Sequence, residues 1–258
     1  MYCILGIMDL TPDNRYGRHT SLPQIGETGQ ARIRDSHVLI VGIGGLGSPA
    51  ALYLAAAGVG HLSLADFDTV ELSNLQRQVA HTTERVGQLK TASARRACLD
   101  INPDCRIETL DYALDEEDLD ALVASCTVVL DCTDNFPTRF ALNAACVKAR
   151  VPLVSGAAIR FDGQISVYDS RQDDAPCYRC LYSDTDNPVD TCAQAGILGP
   201  VVGMVGCVEA IEALKLISGI GTSLAGRLIL FDGLTMEWNE IRLRKNPRCP
   251  VCGSDPED

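Results

Sequence analysis

The chain has 258 residues, with 22 Lys+Arg against 34 Asp+Glu, a formal charge of −12 and a pI near 4.7. That balance excludes nucleic acid and anionic membrane as main partners, because such surfaces are bound through clustered Lys and Arg. A composition of 46% hydrophobic and 22% charged residues excludes disordered and fibrous structure.

In chain order, residues 1–36 read as an N-terminal helical arm and 37–258 as a single domain. No apolar run reaches the roughly 18–20 residues of a membrane span, and Met1 to Leu10 lacks the basic segment of a secretory signal, so a cytoplasmic protein is expected. From Val38 onward, short β-branched runs alternate with helical-period segments, the pattern of βαβ units and a parallel sheet. Residues 37–42 (HVLIVG) predict a first strand, 48–57 a helix closed by Gly58, and 61–66 (HLSLAD) a second strand followed by an irregular polar stretch to Gln78. A helix is expected over 88–100, stopped by Asn102-Pro103, then a strand at 106–110, a helix including 119–124 and a strand at 127–131. Pro137 to Ala149 predicts a helix with Pro in its first turn, and Val151 to Ser155 a fifth strand.

Beyond Gly156 the rhythm changes. Strands are expected at 163–168, 227–231 and 237–243, the first two without a helix directly between strand partners, and a long apolar helix at 201–218 ends at Gly219. The expected fold class is therefore α/β: a doubly wound, Rossmann-like sheet, parallel in its N-terminal half and continued by mixed or antiparallel strands. Ser183 to Val189 (SDTDNPV) is acidic and broken by Pro, which marks a mobile loop.

Gly42-Ile43-Gly44-Gly45-Leu46-Gly47 lies between a strand and a helix and fits G-x-G-x-x-G, so backbone N–H groups and the positive helix end can face phosphate. Asp66, 19 residues after Gly47, ends the second strand where a carboxylate can accept hydrogen bonds from ribose hydroxyls. These features alone suit NAD(P) as well as ATP. Arg77 and Lys90 tip the balance, because attack on an α-phosphate builds negative charge that preorganised cations stabilise and hydride transfer does not. Asp131-Cys132-Thr133-Asp134-Asn135 ends the fourth strand. Asp134 can hold Mg²⁺ on a triphosphate, or Asp134 or Asn135 can cap the next helix.

Twelve cysteines without an export signal are expected to be free, metal-bound or reactive. Cys177/Cys180 and Cys249/Cys252 form two Cys-x-x-Cys pairs, the spacing that puts four thiolates on one Zn²⁺, although a redox disulfide is a second reading. The pairs are separated by 68 residues. Closing that longer loop costs only about 1.2 kcal/mol more than closing a compact ribbon, against roughly 10–16 kcal/mol from a structural zinc. Such a site staples the C-terminal tail to the body. Cys192 follows the acidic loop and is either an exposed nucleophile or a bystander, whereas Cys3, Cys98, Cys105, Cys126, Cys132, Cys146 and Cys207 are expected to pack as small apolar residues. His19, His37, His61 and His81 show no metal or triad spacing.

Taken together, these residues resemble the adenylyltransferases that activate sulfur carrier proteins (the MoeB/ThiF/HesA family), which are related to ubiquitin-activating enzymes. The resemblance runs through Arg15-Tyr16-Gly17-Arg18, VLIVGIGGLGSP, DFDTVELSNLQRQ, VGQLK, DCTDNFPTR, VSGAAIR, PCYRCL and CPVCG. It is strongest to the molybdopterin branch, with the thiamine branch similar throughout. It implies ATP-dependent adenylation of a carrier's C-terminal glycine carboxylate with release of pyrophosphate. By motif match, Gly44, Gly45, Asp66, Ser73, Asn74, Leu75, Gln76, Arg77, Lys90, Asp134 and Asn135 line ATP, with Mg²⁺ on Asp134. Arg18 then reaches across a homodimer into the partner's site, the four paired cysteines are zinc ligands, and Cys192 matches a cysteine that some branches use covalently. The partner implied is a ubiquitin-like carrier ending in Gly-Gly. Since no rhodanese domain fits after Cys252, the sulfur donor is expected to be a separate protein. His19 departs from the family's usual Gln. An NAD(P)-dependent oxidoreductase, resting on the Gly loop and Asp66 alone, and a non-catalytic carrier-binding scaffold are the competing readings.

Overall fold

A computed structural model describes residues 15–183 and 195–254. Two short helices, α1 (Gly17–Thr20) and α2 (Gly26–Arg34), lead into β1 (His37–Val41). There follow α3 (Gly47–Ala57), β2 (His61–Ala65), α4 (Lys90–Ile101), β3 (Arg106–Leu110), α5 (Glu116–Ala124), β4 (Val128–Asp131), α6 (Phe136–Ala149) and β5 (Leu153–Ile159). The chain continues through β6 (Asp162–Tyr168), α7 (Tyr178–Leu181), α8 (Gly199–Ser218), β7 (Arg227–Asp232) and β8 (Glu237–Arg242). The eight strands form one sheet in the order β3-β2-β1-β4-β5-β6-β7-β8. Pairing is parallel from β3 to β5 and antiparallel from β5 to β8, the expected mixed architecture.

Period-two alternation places the core on both faces of the parallel half. Val38 and Ile40 of β1 pack with α2, α3, α4 and α8 on one side, while Leu39 and Val41 pack with α5 and α6 on the other. All four side chains are buried, and burying each contributes roughly 1.5–3 kcal/mol before chain entropy is set against it.

Local chemistry explains where the element ends depart from expectation. The fifth helix starts at Glu116, earlier than the predicted core, because Asp115 accepts from the Asp118 N–H and Asp118 returns the contact in a capping box. Strand β5 runs on past Gly156 to Ile159, since its partner β6 pairs with it along its whole length. Strands β6 and β7 are neighbours although α7 and α8 lie between them in sequence, which corrects the expectation of no intervening helix. No described helix is long and apolar enough to cross a membrane.

Candidate functional site

Strand β1 stops at Gly42 because its φ of +90° brings the backbone against the Cys132 carbonyl; a Cβ there would lie 2.6 Å from that oxygen. A Cβ on Gly47 would lie 1.9 Å from the Gly42 carbonyl, so the loop can fold this tightly only with glycine at both ends. Helix α3 begins there without a side-chain cap. Among the described residues, the Gly44 and Gly45 amides make no hydrogen bond, and they face the cleft with the positive end of the helix behind them.

The cleft, about 1170 Å³, lies beyond the carboxyl ends of β1, β2 and β4, the position where open α/β sheets bind ligands. Gly44, Gly45, Asp66, Ser73, Asn74, Gln76, Arg77, Lys90, Asp134 and Asn135 all line it; Leu75 and Arg18 do not. Asp66 is braced from both sides. Its Oδ2 accepts from the Ile43 N–H at 2.7 Å and its Oδ1 from the Asp68 N–H at 2.9 Å, and each carboxylate oxygen keeps capacity for a further donor. Burial raises its pKa above the usual carboxylate value, against the opposing pull of Lys90 and the two N–H donors.

Lys90 is buried at the N-terminus of α4, and its Nζ is 2.7 Å from Asp68 Oδ2. Arg77 is anchored by a hydrogen bond from Nη1 to the Ser73 carbonyl at 3.1 Å, within a segment shaped by the Glu71–Asn74 capping box. Asn135 is the N-cap of α6, accepting from the Thr138 N–H at 3.0 Å. That assigns the capping role to Asn135. Asp134 is exposed and makes no hydrogen bond with the described residues, so its carboxylate remains available to a cation.

Arg18 sits elsewhere. The neighbouring Tyr16 packs against Gly58 and its hydroxyl accepts from Asn102 Nδ2 at 2.9 Å, fixing the arm at the end of α3 remote from the Gly loop. An 11-residue helix is roughly 16 Å long, so Arg18 stands well away from its own chain's cleft. Cys192 lies outside the described residues.

Sequence reasoning passed over Asp68 and the network under the cleft floor. Asp131 is fully buried and accepts from Thr133 Oγ1 at 2.6 Å and Ser155 Oγ at 2.9 Å. Arg139 donates to the carbonyls of Thr133 and Gly156 and thus ties the Asp134 loop to β5. On the opposite face of the sheet, the fully buried Glu209 of α8 accepts from the Cys132 thiol at 3.5 Å, and burial pushes its pKa far up. The signal for Arg139 was its place in α6 one turn after the cap, next to a strand-end Asp, a pattern no one-dimensional rule isolates.

The four paired cysteines do come together. The Sγ atoms of Cys177, Cys180, Cys249 and Cys252 all lie within 4.8 Å of one another, with Cys177–Cys249 at 3.6 Å and Cys180–Cys252 at 3.4 Å. Bonds of about 2.3 Å to a tetrahedral ion imply S···S edges of about 3.8 Å, so the cluster can hold a metal. The Asn246 N–H donates to Cys180 Sγ at 3.4 Å and Asn143 Nδ2 to Cys177 Sγ at 3.6 Å, the outer contacts that orient thiolates. Cys98, Cys105 and Cys126 are buried, which raises their thiols to about 12, 11 and 12 and leaves them inert.

Residues 16–251 match the model of the ThiF family. The chain belongs to the ThiF family. It is 49% identical over 239 residues to the molybdopterin-synthase adenylyltransferase of Escherichia coli strain K12, covering 93% of this chain and 96% of that protein. It is also 49% identical over 253 residues to the adenylyltransferase and sulfurtransferase MOCS3 of Drosophila willistoni, of which it spans only 55%. The fold is shared with a crystal structure of E. coli MccB with ATP, at a TM-score of 0.81 and 23% identity, covering 95% of this chain and 75% of that one.

Proposed function

We propose that this chain is an ATP-dependent adenylyltransferase that activates the C-terminal glycine carboxylate of a ubiquitin-like sulfur carrier protein for molybdopterin synthesis. The observation that carries this reading is the convergence of free loop amides, Asp66, Arg77, Lys90 and Asp134 on one cleft, in a chain nearly half identical to a molybdopterin-synthase adenylyltransferase along almost its whole length. The carrier carboxylate attacks the α-phosphorus of ATP. A bond forms from carboxylate oxygen to phosphorus, the bond to the β-phosphate bridging oxygen breaks, and pyrophosphate leaves with the electron pair. The Gly44 and Gly45 amides hold phosphate oxygens, Asp66 accepts from the ribose hydroxyls, and Ser73, Asn74, Gln76 and Asn135 complete the nucleotide's walls. Arg77 and Lys90 neutralise the charge that grows on the phosphoryl oxygens. Bound Mg²⁺, held by Asp134, supplies further charge neutralisation on the triphosphate.

In the same reading, Cys177, Cys180, Cys249 and Cys252 hold a structural Zn²⁺, supported by sulfur separations close to a tetrahedral edge. The chain acts as a homodimer in which Arg18 completes the cleft of the partner, supported by its distance from its own cleft. The sulfur donor is a separate protein, and residues 37–258 act as one adenylylation domain after the helical arm. Incubation with ATP, Mg²⁺ and candidate carriers, followed by mass analysis of the carrier, tests the proposal. Adenylylation of a molybdopterin-type carrier supports it. Adenylylation of only a thiamine-type carrier moves the chain to that pathway, and a carrier that binds unmodified overturns the enzymatic reading.

A further inference from the structure

His81 is 6% exposed, touches no cleft surface and has no place in the reaction described above. The residue is nevertheless the point where three cleft elements meet. Nε2 lies 3.2 Å from the Ile43 carbonyl in the glycine-rich loop, Nδ1 lies 2.9 Å from Ser93 Oγ in α4, and the backbone N–H of His81 donates to the Gln78 carbonyl at 3.1 Å, directly after the Ser73 to Arg77 segment. A carbonyl only accepts, so Nε2 carries the proton and Nδ1 accepts from the Ser93 hydroxyl. Burial holds the ring below the ordinary histidine pKa despite the Ile43 carbonyl, and the charges of Lys90 and Arg85 act in the same direction as burial. The ring is therefore a neutral donor.

Ile43 is the only residue with a side chain between Gly42 and Gly45, and every group on it is engaged. Its side chain is fully buried, its N–H is taken by Asp66 at 2.7 Å, and its carbonyl by His81. The glycines on either side lose more backbone freedom on ordering than any other residue type, so the loop holds its amides toward a phosphate only if it is pinned somewhere. Asp66 pins one side of the Ile43 peptide. On the other side, we propose that His81 is a positioning residue: its Nε2–H clamps the Ile43 carbonyl, registering the phosphate-facing amides of Gly44 and Gly45 against the Arg77 segment and the helix that carries Lys90.

This inference rests on the ATP reading of the cleft, and its test separates the two. Wild type, His81→Leu, His81→Gln and Ser93→Ala are compared by calorimetric titration with ATP and Mg²⁺, and by amide hydrogen exchange over residues 42–47 without nucleotide. His81→Leu leaves the Ile43 carbonyl unsatisfied, so ATP should bind about ten-fold more weakly and loop amides exchange about ten-fold faster. The Gln amide extends about as far as Nε2, and His81→Gln should recover most of both effects. Ser93→Ala keeps the ring but removes its orienting hydroxyl, and should shift both readouts the same way by about three-fold. A His81→Leu protein that melts earlier yet keeps wild-type ATP affinity and exchange overturns the clamp, as does a Gln variant no better than Leu, or Ser93→Ala without effect. If the wild type binds no ATP, the functional reading falls, and the exchange data still decide the clamp.

Discussion

Replacement of Lys90 by Ala is expected to abolish most catalysis while leaving the fold standing, because the two roles of this side chain differ in size. Lys90 is 7% exposed, and among the described residues it forms its ion pair with Asp68, whose side chain is 56% exposed. After truncation, Asp68 rehydrates instead of being stranded, so the stability lost with an ion pair this open to water is about 0–1 kcal/mol. In a chain of 258 residues that lowers the melting temperature by at most about 2–4 °C. Catalysis loses a preorganised cation aimed at the cleft, an effect of about two to three orders of magnitude, or about 2.7–4 kcal/mol. The assay is carrier-dependent ATP turnover alongside calorimetric melting of the same preparation. A variant that turns over within a few-fold of wild type refutes the phosphate role, and one whose lost activity tracks a large fall in melting temperature shows that Lys90 serves the fold.

Cys177→Ala should lose one equivalent of metal by elemental analysis and melt at a lower temperature, since structural zinc supplies folding energy directly; a metal-free variant of unchanged stability would show the cluster to be dispensable. Arg18→Ala and Lys90→Ala should each be inactive alone yet recover activity when mixed and allowed to exchange subunits, because one cleft of the mixed dimer is then complete. Mixing without recovery would place Arg18 outside the partner's site. Glu209→Gln tests the buried acid through linkage. The folded pKa of Glu209 is raised, so the folded state holds a proton that the unfolded chain releases, and wild-type stability falls as pH rises above the ordinary carboxylate value. Relative to wild type, the Gln variant should gain stability from mildly acidic to neutral pH and gain nothing below that carboxylate value. Parallel stability curves across that range would show that Glu209 does not titrate between the folded and unfolded states.

The parts of the fold visible in sequence were those set by local rules. Val38 to Val41 reads as a buried strand because it is continuously apolar, and Gly58 and Gly219 end their helices because both adopt the left-handed conformation, at φ of +90° and +74°. The Gly loop, Asp66, Arg77, Lys90, Asp134 and the four paired cysteines were legible because spacing and strand ends carry the chemistry. Pairing and burial were not legible. Nothing near Arg139 signals that its guanidinium will join Thr133 to Gly156, and Glu209 reads as an ordinary polar position of a long helix until α8 lays it against Cys132. Asp68 looked like one more acid in a polar stretch, yet it is the partner of the buried lysine. His81 lacked any motif because its partners, Ile43 and Ser93, lie 38 residues before it and 12 after it.

The central claim is that the cleft joins a carrier carboxylate to the α-phosphate of ATP, and isotope exchange between pyrophosphate and ATP tests it most directly. The account predicts exchange that requires Mg²⁺ and a carrier with an intact Gly-Gly terminus, and that disappears when the terminal glycine is removed. Exchange without a carrier, or none with any molybdopterin-type or thiamine-type carrier, would contradict it.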